Sequence, residues 1–284
     1  MPSTPPVLQC ADQALDLSRP LVMGVLNVTP DSFSDGGRFV SAAAAIAHGV
    51  RLAEEGAALI DVGGESTRPG AQPVELEEEL RRVLPVIEGL RAGCDAVISV
   101  DTSKPEVMRA ARQAGAGLVN DVRALRAPGA LAAAAASGCA VCLMHMQGEP
   151  GTMQLAPHYA DVVGEVREFL AARVADCRAA GIGAGRLLLD PGFGFGKTLE
   201  HNLTLLRRLP ELAVQGLPLL VGLSRKSMLG KLTDRAPGER LHGSVALAVI
   251  AALNGARIIR AHDVAATVEA LKVVAAVGGG GRSE

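Results

Sequence analysis

The sequence predicts an α/β fold, a single-domain (β/α)8 TIM barrel, on three observations. Short apolar, β-branched runs recur about every thirty residues, the stretches between them carry helical periodicity, and nearly every run ends in a residue capable of specific chemistry. The runs are Leu21 to Leu26, Ala57 to Ile60, Ala96 to Val100, Gly117 to Val119, Ala140 to Met144, Leu187 to Leu189, Pro218 to Leu223 and Ala256 to Ile259. Their unbroken apolarity, without period-two alternation, marks strands covered on both faces, as in a parallel sheet. Eight such units in 284 residues suit a closed barrel.

In chain order, residues 1–6 (MPSTPP) and the tail from Gly278 to Glu284 are too poor in apolar surface to offset the entropy of ordering them. A short N-terminal extension then leads into an ordered core of about 15–277, a single domain in which no linker or internal repeat is visible. The first run launches NVTPDSFSDGG, Asn27 to Gly37, which packs one amide, two carboxylates, several hydroxyls and Phe33 into eleven residues. It reads as a mobile catalytic loop, or as a solvated loop of turn formers. After the second run, Asp61 to Ala71 (DVGGESTRPGA) is a second Gly-rich loop with Thr67 and Arg68 exposed, suited to closing over a reacting centre.

The helices follow from their stripes. Between Val74 and Leu90, Leu76, Leu80, Val83, Ile87 and Leu90 step by three and four, with Glu77 to Glu79, Arg81 and Arg82 on the opposite face. Val163, Val166, Leu170, Val174 and Cys177 repeat the stripe. Ser103 and Glu106 have capping-box spacing around Pro105, and Asn254-Gly255 closes the helix from Leu241 to Leu253.

Composition narrows the function. The net charge of −2 from 28 basic and 30 acidic residues lacks the footprint of a nucleic-acid or membrane-surface binder, which leaves a small-molecule substrate. One tyrosine and no tryptophan weaken any base-stacking platform. No signal segment or bilayer-length apolar run is visible, and five scattered cysteines fit reduced thiols, so a cytoplasmic protein is expected. Cys139 and Cys142 form a C-x-x-C inside a strand-like run, where core packing is the better reading than a redox pair.

The polar run-ends are Asn27, Asp61, Asp101, Asn120 with Asp121, His145, Asp190, Ser224 with Arg225 and Lys226, and Arg260 with His262. In a barrel they converge on the face that holds the active site, although Asp, Asn and Ser also cap helices. Asp101, Asn120 and Asp190 can recognise the amino-pyrimidinone edge of a flat heterocycle, or serve in acid/base work or capping. Lys226, Arg260 and His262 follow the last two strands, where barrels commonly bind phosphate; a lysine there could also form a Schiff base or lie on the surface. In LLLDPGFGFGKT the glycines lack dinucleotide-fingerprint spacing, and Phe193 and Phe195 read equally as a wall for a flat ligand or as core.

Taken together, NVTPDSFSDGG, DVGGESTRPGA, SVDTSKPEV, LVNDVR, LMHMQG, LLLDPGFGFGK, LSRKSM and RIIRAHDV, spanning essentially the whole chain, resemble the dihydropteroate synthases, pterin-binding TIM barrels of folate biosynthesis. The resemblance implies condensation of a dihydropterin pyrophosphate with p-aminobenzoate, with Mg²⁺ as cofactor. It implies a pterin pocket of Asp101, Asn120, Met144, Asp190, Lys226 and Arg260. Asn27, Arg68, Arg260 and His262 would hold pyrophosphate, with Asn27 also approaching the metal. Thr67, Pro69, Phe195, Lys226 and Ser227 would shape the p-aminobenzoate site, where sulfonamides bind in this family. Asp31, Phe33 and Asp35 would act from the first loop, so that Asn27, Asp31, Phe33, Asp35, Thr67, Arg68, Lys226 and Arg260 form the implied catalytic set. The family also suggests a homodimer through helices far from the mouth. A methyltetrahydrofolate-dependent methyltransferase and a non-catalytic pterin-binding paralogue are the alternatives; neither needs both the pyrophosphate cations and the two loops.

Overall fold

A computed structural model describes residues 7–28, 37–66, 73–149 and 151–278, the side chains of 37–41 excepted. An antiparallel hairpin of β1 (Val7–Cys10) and β2 (Gln13–Asp16) precedes the barrel. The barrel strands are β3 (Leu21–Asn27), β4 (Leu59–Gly63), β5 (Val97–Asp101), β6 (Leu118–Asp121), β7 (Ala140–Met144), β8 (Leu187–Asp190), β9 (Leu219–Gly222) and β10 (Ala256–Ala261). All eight are parallel and close in sequence order, β10 pairing with β3. Each lies on a predicted run, but β4 and β10 extend further, which places Asp61 and Arg260 within strands rather than at their ends.

Around the strands lie α1 (Gly37–Glu54), α2 (Leu76–Gly93), α3 (Pro105–Ala114), α4 (Ala130–Ser137), α5 (Val162–Ala179), α6 (Leu199–Arg207), α7 (Ser227–Thr233), α8 (Leu241–Leu253) and α9 (Val264–Gly278). The stripe on α5 is buried at every named position, as are Val83, Ile87 and Leu90 on α2. Glu79 departs from the expected polar face: it is buried, because the half-buried Lys104 ammonium bonds both Glu79 Oε2 and Glu65 Oε2 at 2.5 Å. The capping box at α3 does not form. Lys104 is the N-cap and its side chain makes no capping bond, while the Ser103 hydroxyl donates to Asp121 Oδ1. Asn254 and Gly255 (φ 94°) end α8 as expected. Gly278 is the last residue of α9, not part of an unstructured tail.

The core has two layers. Between strands and helices packs the larger one, including Ile60, Val62, Ile87, Ile98, Val100, Val141 and Leu189; inside the barrel, Met23, Leu59, Val97, Leu118, Cys142, Leu188, Leu220 and Ile258 form the other. Alternate strand residues feed each layer. Cys139 belongs to the outer layer and Cys142 to the inner, and all five cysteines are free, as core packing requires. No described helix is long and apolar enough to cross a membrane.

The hairpin extends the ordered structure to Val7, earlier than the sequence suggests. Leu8, Cys10 and Leu17 are buried against the inner layer, sealing the end of the barrel opposite the strand C-termini. Arg112 pairs with Asp12 at 2.9 Å and Gln13 Nε2 donates to the Asp95 carbonyl at 3.0 Å, fastening it. The turn places Ala11 at φ 53° instead of a glycine or asparagine, so the usual hairpin signal is missing.

Candidate active site

The centre of the mouth is a polar network one level above the apolar plug. Register sets Asn27 beside Gly63, Gly63 beside Asp101 and Asp101 beside Asn120, with Asp61 beside Ser99 one step below. Asp61 is fully buried and accepts from Ser99 Oγ (2.6 Å), Asn120 Nδ2 (3.0 Å) and Arg260 Nε (2.6 Å). Arg260 Nη2 reaches on to Asp101 Oδ2 at 3.2 Å. Asp61 thus holds two of the implied pterin residues, a role that sequence reasoning missed; a carboxylate inside the otherwise apolar LIDVG was the available signal.

Burial first, then the Asp61 charge, pushes Asp101 up to about 8, although the Arg260 guanidinium pulls it down. Asp190 is also raised, by burial, against the pull of Lys226. Its Oδ1 accepts from the Gly192 amide at 2.7 Å. Among the described residues no donor is bonded to Asp190 Oδ2, Asp101 Oδ1 or Asn120 Oδ1. Three acceptors therefore face the mouth open. Beside them Met144, Val122, Met146 and Met153 form a buried apolar cluster on which Phe195 packs.

Lys226, N-cap of α7, donates to the Phe193 carbonyl and lies 4.4 Å from the centroid of the Phe195 ring. Burial lowers it to about 8 despite Asp190. The turn before it places Arg225 at φ 57°, and Arg240 Nη1 donates to the Arg225 and Lys226 carbonyls at 3.0 and 3.3 Å. Arg225 itself turns outward to Asp263. Ser227 is exposed at the start of α7, and Ser224 Oγ lies 3.0 Å from His262 Nδ1.

The glycine-rich segment resolves the two phenylalanines: Phe193 is in the outer core and Phe195 at the site. Gly192, Gly194 and Gly196 all have φ between 63° and 80°. At Gly192 a Cβ would stand 1.8 Å from the His145 carbonyl, so no other residue fits. His145 is not a titrating group of the mouth. It is buried with Nδ1 2.9 Å from Lys197 Nζ, and burial and the lysine charge push it down to about 2. Asp121 is likewise structural, accepting from Ser103 Oγ and the amides of Arg123 and Leu125 (both 2.8 Å).

The structure brings together Asn27, Asp101, Asn120, Met144, Asp190, Phe195, Lys226, Ser227, Arg260 and His262 at one mouth. Asp31, Phe33, Asp35, Thr67, Arg68 and Pro69 lie outside the described residues.

Comparison with known proteins agrees with this geometry. The family model described as pterin binding enzyme matches residues 23–262. A dihydropteroate synthase of Escherichia coli (strain K12) is 59% identical over 93% of this chain and 93% of its own length. The Xanthomonas albilineans dihydropteroate synthase solved with 4-aminobenzoic acid superposes with a TM-score of 0.92 at 58% identity, covering 97% of this chain and 99% of that one. The Yersinia pestis enzyme in complex with a sulfonamide drug gives 0.92 at 55% identity, covering 96% and 99%.

Proposed function

The chain belongs to the pterin-binding enzymes and, among them, to the dihydropteroate synthases, and from that premise we propose how its residues carry the reaction. It condenses 6-hydroxymethyl-7,8-dihydropterin pyrophosphate with p-aminobenzoate to give 7,8-dihydropteroate and pyrophosphate, a step of folate biosynthesis. The carrying observation is the set of three open acceptors, Asp101 Oδ1, Asn120 Oδ1 and Asp190 Oδ2, beside the half-buried Lys226 ammonium. An amino-pyrimidinone edge offers several N–H donors and a carbonyl, which match acceptors and ammonium respectively.

In this reading the C–O bond between the pterin methylene and pyrophosphate breaks first, the electron pair leaving with the oxygen. Arg260, His262 and Arg68 stabilise the departing anion. The methylene cation that remains is favoured by Asp101 and Asp190, and the p-aminobenzoate nitrogen attacks it and then releases a proton. Phe195, Lys226 and Ser227, with Thr67 and Pro69, hold the arylamine, and the same surface takes sulfonamides. Asp31, Phe33 and Asp35 complete the site from the first loop and exclude water.

Mg²⁺ fits as a cofactor that arrives with pyrophosphate. Asn27 supplies one hard amide oxygen beside Gly63, and among the described residues no group of three or more His, Cys, Asp or Glu could hold a metal alone. When bound, it would neutralise charge on the departing oxygens. A homodimer is supported by exposed apolar residues on two adjacent helices, Ile250 and Leu253 of α8 and Val273 and Val277 of α9. Five free cysteines support a cytoplasmic setting.

The test is turnover by the purified protein with both substrates and Mg²⁺, read as pyrophosphate release; a folded sample that releases none overturns the reading. Lys226→Ala is expected to weaken pterin binding, while Asp35→Ala leaves it nearly intact and abolishes turnover. Equal loss of pterin affinity in both would remove the first loop from the catalytic step.

A further inference from the structure

We infer that Lys197 is a positioning residue for the arylamine wall, its ammonium fixing the backbone that presents Phe195 and receives Lys226. The inference deepens the proposed function and rests on that reading for the identity of the second substrate. Every carbonyl of the Gly192–Gly196 segment accepts from a side chain. Gly192 and Phe195 accept from Lys197 Nζ (2.9 and 3.0 Å), Phe193 from Lys226, Gly194 from Gln154 and Gly196 from the Tyr159 hydroxyl (2.9 Å). Lys197 thus supplies two of the five, and its third donor meets His145 Nδ1 at 2.9 Å.

Lys197 is 3% exposed, and among the described residues it forms no ion pair with a carboxylate. Burying an ammonium without a carboxylate in direct contact is costly: burial lowers Lys197 to about 7 despite the more distant Asp190 charge, and a methionine would fill the same volume more cheaply. Three donors matched to three acceptors give the charge a geometric use. Three left-handed glycines leave this segment without helix or strand bonds; a turn bond from the Phe195 amide to the Gly192 carbonyl (3.1 Å) and one from the Gly194 amide to Asn202 Oδ1 (2.8 Å) act beside the side-chain donors in setting its shape. The Phe195 ring, 4.4 Å under Lys226 Nζ, inherits that shape, whereas Asp101 and Asn120 are set by strands that Lys197 does not touch; Asp190, whose Oδ1 accepts from the Gly192 amide, is held by the β8 ladder as well.

The test is Lys197→Met, with Lys197→Gln, which keeps two donors, where the first does not accumulate. Expected are at least tenfold faster hydrogen exchange at the Gly194 and Phe195 amides and at least a tenfold rise in KM for p-aminobenzoate, with a smaller rise in KM for the pterin pyrophosphate, transmitted through Gly192 to Asp190 and through Phe193 to Lys226. In a Phe195→Ala background the Lys197 substitution should add no further rise. A mere loss of folded protein would lower apparent kcat and move neither KM. Unchanged exchange, an unchanged KM for p-aminobenzoate in a turning-over variant, or multiplying effects with Phe195→Ala would each overturn the inference. If the wild type shows no turnover, the proposed function falls and the exchange rates alone decide this one.

Discussion

Asp101 joins the electrostatics of the mouth to a measurable proton. Its carboxyl is raised to about 8 from 3.8 by burial and the Asp61 charge, so the folded protein holds that proton more tightly than the unfolded chain does. Its contribution to stability is therefore present at acid pH and is lost as pH rises from about 4 towards 8. Ring N–H donors of a pterin bind the ionised form, so binding at pH 7 is expected to release close to one proton. Calorimetry in buffers of different ionisation enthalpy reads that release; a slope of zero would refute it, and Asp101→Asn should abolish it. At this scale the chain is partly legible. Asp101, Asn120, Asp190, Lys226 and Arg260 can be picked out because polar residues at strand ends are conspicuous, but Asp61 and Lys197 act by holding others, and only the bonds at 2.6 to 3.0 Å reveal that.

Among the elements, the β1–β2 hairpin makes the clearest claim on stability. Leu8 is 1% exposed and packs on the inner barrel layer. Leu8→Ala is expected to cost about 2–5 kcal/mol in chemical denaturation while leaving both KM values in place, since the hairpin closes the end away from the mouth. A shift in either KM would show that the plug reaches the site. The eight barrel strands were readable because continuous apolar runs betray a doubly covered sheet. The hairpin was not, because four-residue strands with no glycine turn carry too little pattern. Glu79 and Ser103 failed for a related reason. A helix stripe or a capping spacing describes local preference, and Lys104 and Asp121 override it from other elements.

At the scale of the whole molecule, the apolar face on α8 and α9 gives the expected assembly a test. Leu253 is 64% exposed and Val277 75%. The wild type is expected to sediment at twice the chain mass and a Leu253→Glu, Val277→Glu variant at the chain mass, with the pterin site unchanged because those helices flank the barrel's outside. A monomeric wild type would overturn the dimer. The overall architecture was legible almost in full, since periodicity, length and the spacing of polar run-ends all report the same closed barrel.

The apolar plug under the mouth also governs traffic. With Met23, Leu59, Val97, Leu118, Leu188, Leu220 and Ile258 filling the barrel, the mouth is a well with a single opening. Asn120 and Asp190 lie at its buried floor while Ser227 lies exposed at its rim. A ligand seated on the floor must enter before one seated at the rim, and cannot depart until the rim is clear. The order in which substrates load, and the obligation of pyrophosphate to leave by the same doorway the arylamine uses, follow from the packed inner layer beneath the site.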